Sequence, residues 1–327
     1  MNTPEILRRL AAHGLIDVAR AIVEPLAGGV SSDICLVSDD AHRLVVKQAL
    51  PKLRVAAEWF ADPIRNRYEQ AYISFVAGLD ASAVPHILYC DDELSFFAME
   101  YLAPPLENWK TRLLSEPASP QWAAKAGEIL GKIHAASWDN DALKKQFDTT
   151  ANFHELRSEP YFLYTAERHP AVAEQMRAHV TALECNRRCL VHGDFSPKNI
   201  LVSAERMVLL DCEVAWFGNP AFDTGFLLNH FFLKAAHRPE QAAKYMELAD
   251  AFWKKYILHL GENNVEQTLS WLLPMLLLAR VDGKSPVEYL NPAQQETVRR
   301  FALAQLQVAP QSLDALRRKW FDSLEKV

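Results

Sequence analysis

The stretch CLVHGDFSPKNILVSAERMVLLDCE, Cys189 to Glu213, constrains this chain more than any other. It holds two apolar runs, Leu190-Val191 and Met207 to Leu210. Asp194 follows the first run, Asp211 directly follows the second, and Asn199 lies between them. Short apolar runs bounded by polar residues read as buried strands. Strands that close on carboxylates place chemistry at a strand-to-loop edge.

Asp194 to Asn199 is a step of five, the spacing of the kinase catalytic loop H-R-D-x-x-x-x-N, and Asp211 stands where the metal-binding Asp of D-F-G would follow. Phosphoryl transfer asks little covalent chemistry of a protein: metal ions neutralise phosphate charge, and one group orients and deprotonates the attacking hydroxyl. Asp194 suits the second task. Asn199 and Asp211 suit the first, as hard oxygen ligands for Mg2+, whereas one histidine beside two carboxylates does not suit zinc. No G-x-S-x-G, C-x-x-C or H-E-x-x-H occurs, so acyl transfer and zinc hydrolysis have no anchor. His192 precedes Asp194 by two residues and reads as a scaffold for the loop, with its ring bonded to backbone.

The remaining chain must supply a nucleotide's other contacts, and its 327 residues leave room for two lobes with a substantial core. Half of the residues are apolar and the net charge is -6, which argues against nucleic acid and against an anionic membrane surface as partners. The N-terminus mixes Glu5, Arg8, Arg9 and Asp17 into its apolar residues and has no signal-peptide core. The longest apolar run, Trp271 to Ala279, is far below the ~20 residues of a spanning helix and contains Pro274. The sequence therefore predicts a cytoplasmic protein. Five cysteines in so long a chain form no disulfide framework.

Ile6, Leu7, Leu10 and Ala11 recur at helical spacing. Short apolar runs near Ile22 to Leu26, Ile34 to Val37 and Leu44 to Gln48 then read as three antiparallel strands. Gly28, Gly29, Ser31 and Ser32 form a candidate phosphate-covering loop, since glycines and small hydroxyls let backbone N–H groups approach phosphate oxygens; an ordinary hairpin turn would read the same way. Lys47 ends a run with the shape of the kinase V-A-I-K strand, or is a strand-end lysine reaching solvent. Asp62 and Pro63 open a helix to about Ala77, inside which Glu69 would hold Lys47 toward the phosphates; Glu58 competes for that role. Val84 to Tyr89 and Phe96 to Met99 are two more strands, and Pro104-Pro105 marks a lobe boundary, giving lobes of 1–103 and 104–327. Beyond it helices dominate: Trp122 to Ala136 with a packed His134, Ala221 to Leu233, Glu240 to Leu260, one capped at Asn291, and a last one through Leu313, Leu316, Trp320 and Leu324. The aromatic segment from Trp138 to Pro170 would line a cleft or pack as an insertion.

His192-Gly193-Asp194-Phe195-Ser196-Pro197-Lys198-Asn199, then Leu209-Leu210-Asp211-Cys212-Glu213 and Gly218-Asn219-Pro220-Ala221-Phe222-Asp223, together resemble the aminoglycoside phosphotransferase family of small-molecule kinases. His-Gly-Asp in place of His-Arg-Asp separates that family from protein kinases. The resemblance covers most of residues 20 to 235. It implies an α+β, bilobal protein-kinase-like fold, with a small antiparallel-sheet N-lobe and a larger, mostly helical C-lobe. It also implies ATP or GTP with Mg2+, Asp194 as catalytic base, Asn199 and Asp211 as metal ligands, and Lys47 on the phosphates, held by Glu69. The adenine would meet the main chain at Glu100 and Leu102, and Asp223 would brace the catalytic loop through backbone N–H groups. Ser196 and Cys212-Glu213 depart from the family's commonest residues, and the glycine loop is degenerate.

The resemblance leaves the acceptor open, a small molecule with a hydroxyl group. His230, Arg280, Asp282 and Lys284 are candidates for touching it. The last three also read as a helix C-terminus closed by Gly283. No acidic patch for a polycationic aminoglycoside is evident, which favours a metabolic alcohol, sugar or amino alcohol over antibiotic resistance. A nucleotide-binding pseudokinase is the alternative class, against which the intact Asp194, Asn199, Asp211 and Lys47 weigh. A protein kinase is disfavoured by the short span from Asp211 to Asp223.

Overall fold

A computed structural model describes residues 2–26, 32–50, 64–115, 119–261, 264–309 and 311–324. Gly28, Gly29, Ser31, Glu58, Asp62 and Pro63 lie outside the described residues. The chain forms two compact units, Met1–Leu106 with Val208–Glu213, and Glu107–Met207 with Val214–Val327. A contiguous division at 103/104 is thereby corrected: the strand that ends on Asp211 belongs with the first unit, because its carboxylates pair with lysine and arginine there.

The first unit is built on a five-stranded antiparallel sheet of order β1-β2-β3-β5-β4. Its strands are β1 (Ile22–Pro25), β2 (Ser32–Ser38), β3 (Arg43–Ala49), β4 (Ile87–Asp91) and β5 (Phe96–Glu100). β4 starts later than Val84 because Pro85 has no N–H to give the ladder; the first backbone contact on this side is Glu100 N–H to the His86 carbonyl, 2.9 Å. Side chains alternate across a strand, and the sheet uses both faces. Cys35, Val37, Leu44, Val46, Phe96 and Ala98 pack with Ile6 and Leu10 of α1 (Thr3–Ala12) in one cluster. The alternation puts Val45 and Lys47 on the opposite face, and α2 (Arg65–Leu79) packs against β3, β4 and β5 with Glu69, Tyr72, Ile73 and Val76 buried. Lys47 thus leaves the sheet into a helix-covered interior, and the solvent-reaching alternative is excluded: it is 2% exposed.

The second unit is mostly helical. It begins with β6 (Glu107–Asn108), α3 (Trp109–Ser115) and α4 (Pro120–Ser137). The aromatic segment that follows holds α5 (Asp141–Gln146), α6 (Thr150–Phe153), a π-helical stretch over His154–Leu163, and α7 (Tyr164–Arg168). Then come α8 (Ala173–Cys185), β7 (Cys189–Val191), β8 (Ile200–Val202), β9 (Met207–Leu209), which leads into the first unit, and β10 (Trp216–Gly218). The chain ends in α9 (Ala221–His237), α10 (Ala242–Leu260), α11 (Val265–Asp282), α12 (Pro292–Leu306) and α13 (Leu313–Leu324).

α9 is the centre of this unit: every residue from Ala221 to Ala236 is buried, so the helix is walled in on all sides by its neighbours. α10 lies close along α4 because position 127 is glycine; a Cβ there would sit 2.2 Å from the Phe252 carbonyl oxygen. α12 starts with the capping box expected at Asn291, its side chain accepting from Gln294 N–H at 2.9 Å while Gln294 Oε1 accepts from Asn291 N–H. No helix among the described residues is long and apolar enough to cross a membrane.

Candidate functional site

In the second unit, β7 delivers the loop His192-Gly193-Asp194, and the backbone of that loop is fixed from α9. Asp223 accepts from His192 N–H at 2.7 Å and from Gly193 N–H at 3.0 Å. His134 of α4 closes the same network, with Nε2 3.4 Å from Asp223 and Nδ1 3.0 Å from the Tyr256 hydroxyl. Gly193 has φ +78°, and a Cβ on it would meet the Val214 carbonyl oxygen at 2.4 Å. An arginine, the protein-kinase residue, has no room here. His192 Nδ1 accepts from Asp194 N–H at 3.2 Å, a scaffold contact.

Asp194 is buried, 4% exposed, and its two oxygens differ. Oδ2 lies 3.1 Å from the Arg157 guanidinium and 2.9 Å from the Lys198 ammonium. Oδ1 is buried with no hydrogen-bond partner. Burial would raise the carboxyl group's pKa, but Lys198 and Arg157 outweigh it and hold it well below the usual carboxylate range. Asn199 uses its amide nitrogen on the Asp194 carbonyl, 3.1 Å away, which commits that nitrogen and directs its ligand chemistry to the amide oxygen.

In the first unit, Lys47 Nζ bridges two carboxylates, Glu69 Oε1 at 2.7 Å and Asp211 Oδ1 at 2.6 Å. Glu213 joins them: ligand oxygens of Glu69, Asp211 and Glu213 all lie within 4.8 Å of one another. Arg65, 1% exposed, holds Glu213 at 3.0 Å and also donates to the Leu50 carbonyl at 2.7 Å. Among the described residues, these three carboxylates share Lys47 and Arg65 as their cations. Burial pushes Glu69 up against the opposing pull of Lys47, and Asp211 and Glu213 add to the rise. Asp211 has φ +61°, a left-handed conformation that costs a non-glycine residue energy and that clusters at functional positions.

A family model described as the phosphotransferase enzyme family (APH) matches residues 22–259. The chain belongs to this family. Among curated relatives it is 29% identical over 228 residues to a methylthioribose kinase of Bacillus pumilus, covering 61% of this chain and 56% of that one. It is 27% identical over 259 residues to the methylthioribose kinase of Escherichia coli, covering 70% and 61%. The matched region thus spans less than two thirds of either relative's length. Among solved structures, a choline/ethanolamine kinase family protein from Mesorhizobium loti superposes with a TM-score of 0.52 at 18% identity over 100% of both chains. A microcompartment-associated aminopropanol kinase does so with 0.55 at 14% identity, over 98% of each. These likenesses show the protein-kinase-like fold of this APH member.

Several candidate residues fall into place separately. Ser32 is the first residue of β2, paired with Ala49, and its buried hydroxyl has no hydrogen-bond partner. Glu100 ends β5 opposite Leu44 of β3; its N–H donates to the His86 carbonyl and its carboxylate accepts from His86 N–H. At Leu102, neither backbone group is hydrogen-bonded among the described residues. His230 lies on α9 and Arg280 near the end of α11, where it donates to the Tyr161 hydroxyl at 3.3 Å. Asp282 and Lys284 are engaged within the protein. Asp282 is clamped by Arg299 at 2.7 and 2.8 Å and by His169 at 2.8 Å, and Lys284 is paired with Glu159 at 2.7 Å. They fix the end of α11, where Gly283 caps the helix at φ -80°, the helix-end reading of this cluster.

Sequence reasoning missed Arg157, Lys198 and Arg65. Lys198 sits inside the quoted motif and four residues after Asp194, so its spacing could have found it. Arg157 comes from the π-helical part of the aromatic segment, interrupted by Pro160, where no regular periodicity says which side chains point inward. Its guanidinium also donates to the Gly193 carbonyl at 2.6 Å.

Proposed function

We propose that this APH-family chain is a small-molecule O-kinase that moves the γ-phosphoryl group of ATP or GTP to a hydroxyl of a small acceptor. The observation that carries this reading is the bridging of Lys47 between Glu69 and Asp211, at 2.7 and 2.6 Å, with ligand oxygens of Glu69, Asp211 and Glu213 within 4.8 Å of one another. Three carboxylates so close together offer the oxygen ligands that suit a hard divalent cation. Magnesium fits the oxygen donors of the first unit: the Asp211 carboxylate would hold it, with Glu213 beside it. Bound there it would neutralise charge on the nucleotide's phosphates.

Asp194 then acts on the acceptor. Its Oδ1 is the atom without a partner and receives the hydroxyl proton as the new oxygen–phosphorus bond forms; the bond from the γ-phosphorus to its bridging oxygen breaks, releasing the nucleoside diphosphate. A carboxylate with so low a pKa is a weak base. Such a group suits a loose transition state, in which orienting the hydroxyl matters more than early proton abstraction. The curated relatives named as methylthioribose kinases, and the choline and aminopropanol kinases of the same fold, are consistent with a small alcohol as acceptor. Lys47, held by Glu69, would meet the phosphates, and Leu102, with both backbone groups available, would meet the base. The test is a thermal-unfolding series with Mg-ATP and Mg-GTP followed by a nucleotide-consumption screen over small hydroxyl compounds. Stabilisation by a Mg-nucleotide is expected, and no shift at saturating concentration would refute the reading.

A further inference from the structure

Beyond Asp194, the second unit gathers cationic side chains around a buried lysine that the phosphotransfer chemistry does not use. Lys234 on α9 is 0% exposed, and its Nζ has no hydrogen-bond partner. Its ammonium lies 5.3 Å from the centre of the Tyr289 ring, whose hydroxyl is likewise buried without a partner. One turn earlier His230, 6% exposed, has an unpartnered Nδ1, and Arg280 has an unpartnered Nε. Lys110 of α3 and Arg280 stand close enough to Lys234 to repel its charge, and the neighbouring carboxylate, Glu288, is already paired with Lys110. Among the described residues no carboxylate lies within ion-pair distance of Lys234. A buried Lys234 ammonium with no acceptor among the described residues is costly in a helix core unless something else satisfies it.

Resting on the kinase reading above, we propose that Lys234, His230, Arg280 and Tyr289 form an anion subsite, and that the acceptor carries a carboxylate or phosphate group at the end opposite its reacting hydroxyl. Position follows from α9. Phe226, His230 and Lys234 recur every four residues on one side of the helix. Phe226 lies 5.9 Å from the Arg157 guanidinium, which in turn holds Asp194. Two helical turns set the anionic end on the order of 10 Å from Asp194, the span of a hydroxy acid or a sugar phosphate. The chemistry opposes a choline-like or aminoglycoside acceptor, whose cationic groups would meet Lys234 and Arg280. Arg280 supplies a planar donor fork beside the point charge of Lys234, a pairing suited to carboxylate and phosphate oxygens.

The experiment uses the full chain and three probes at matched ionic strength: inorganic phosphate and malonate, standing in for the anionic end, and choline. Phosphate or malonate should raise the unfolding midpoint of the wild type by about 3 °C or more at saturation; choline should not. Lys234→Met, which removes a buried unpaired charge, should start from a higher midpoint than the wild type yet bind the anion at least about tenfold more weakly. Arg280→Met, at a partly exposed position, should weaken it too and covers the case in which the first variant folds poorly. Equal responses of wild type and both variants, or stabilisation by choline alone, would overturn the subsite. A phosphate response that needs Lys234, without any Mg-nucleotide response, would instead sink the kinase reading and leave the anion site standing.

Discussion

Among the described residues, the two units gather charge of opposite sign. In the first, Glu69, Asp211 and Glu213 cluster about Lys47 and Arg65. In the second, Lys110 and Arg280 surround the buried Lys234, with Glu288 paired to Lys110. Two other carboxylates behave otherwise: Asp223 is satisfied by two backbone N–H groups and His134, and Asp282 by Arg299 and His169. Networks like these hold the fold. Clusters of one sign are candidates for ligands of the opposite sign, a divalent cation with a nucleotide in the first unit and an anionic acceptor group in the second.

The comparison breaks most visibly at Asp211. Asp211→Asn removes a metal ligand, and turnover should fall about 10³-fold or more. The same change relieves both carboxylate crowding and, with an asparagine at φ +61°, backbone strain. The unliganded protein should therefore unfold at the same or a higher temperature, and a calorimetric scan beside the steady-state assay checks both halves. A large drop in stability would show that Asp211 is a structural ion-pair member. Asp194→Asn should come next, with a loss of about 10²-fold or more in kcat while the Mg-nucleotide thermal shift is retained. Near-wild-type turnover would remove Asp194 from the base role.

Legibility in the sequence follows the same division. The five strands, the helix carrying Glu69, and the capping box at Asn291 could be read because each is written in local periodicity or turn chemistry. The His-Gly-Asp loop with its asparagine could be read because the motif's spacing is itself the geometry, and Gly193 explains its own identity through its positive φ. Arg157 and Arg65 could not be read. Their partners are 37 and 148 positions away, Asp194 and Glu213, and neither stands at a spacing that forces the contact. Asp282 and Lys284 show the complementary limit: a charged cluster after an apolar helix looks the same whether its partners are a ligand or the protein's own Arg299 and Glu159. Lys234 was silent because a lysine late in a helix is ordinarily a solvated residue favoured by the dipole. Only the burial of all of α9 makes it exceptional.

The smallest effect is also the most specific to that residue. Burial, with Lys110 and Arg280 adding repulsion, pushes the Lys234 amine down to about 7 from its ordinary 10.5. Below pH 7 the amine is protonated in both the folded and unfolded chain and contributes no pH dependence. Between about 7 and 10.5 the unfolded chain binds a proton that the folded chain has released, so stability rises with pH across that window, by at most about 1.4 kcal/mol per unit. Buried Cys189 and Cys212, pushed up by burial, oppose this trend because the folded chain keeps their protons longer. The informative quantity is therefore the difference between wild type and Lys234→Met in denaturant unfolding from pH 7 to pH 9. The wild type should gain stability relative to the variant as pH rises. Saturating phosphate should flatten that difference, since an anion beside the ammonium restores its pKa. A difference independent of pH would show that Lys234 keeps its charge by some other partner and would remove the contrast between the two units.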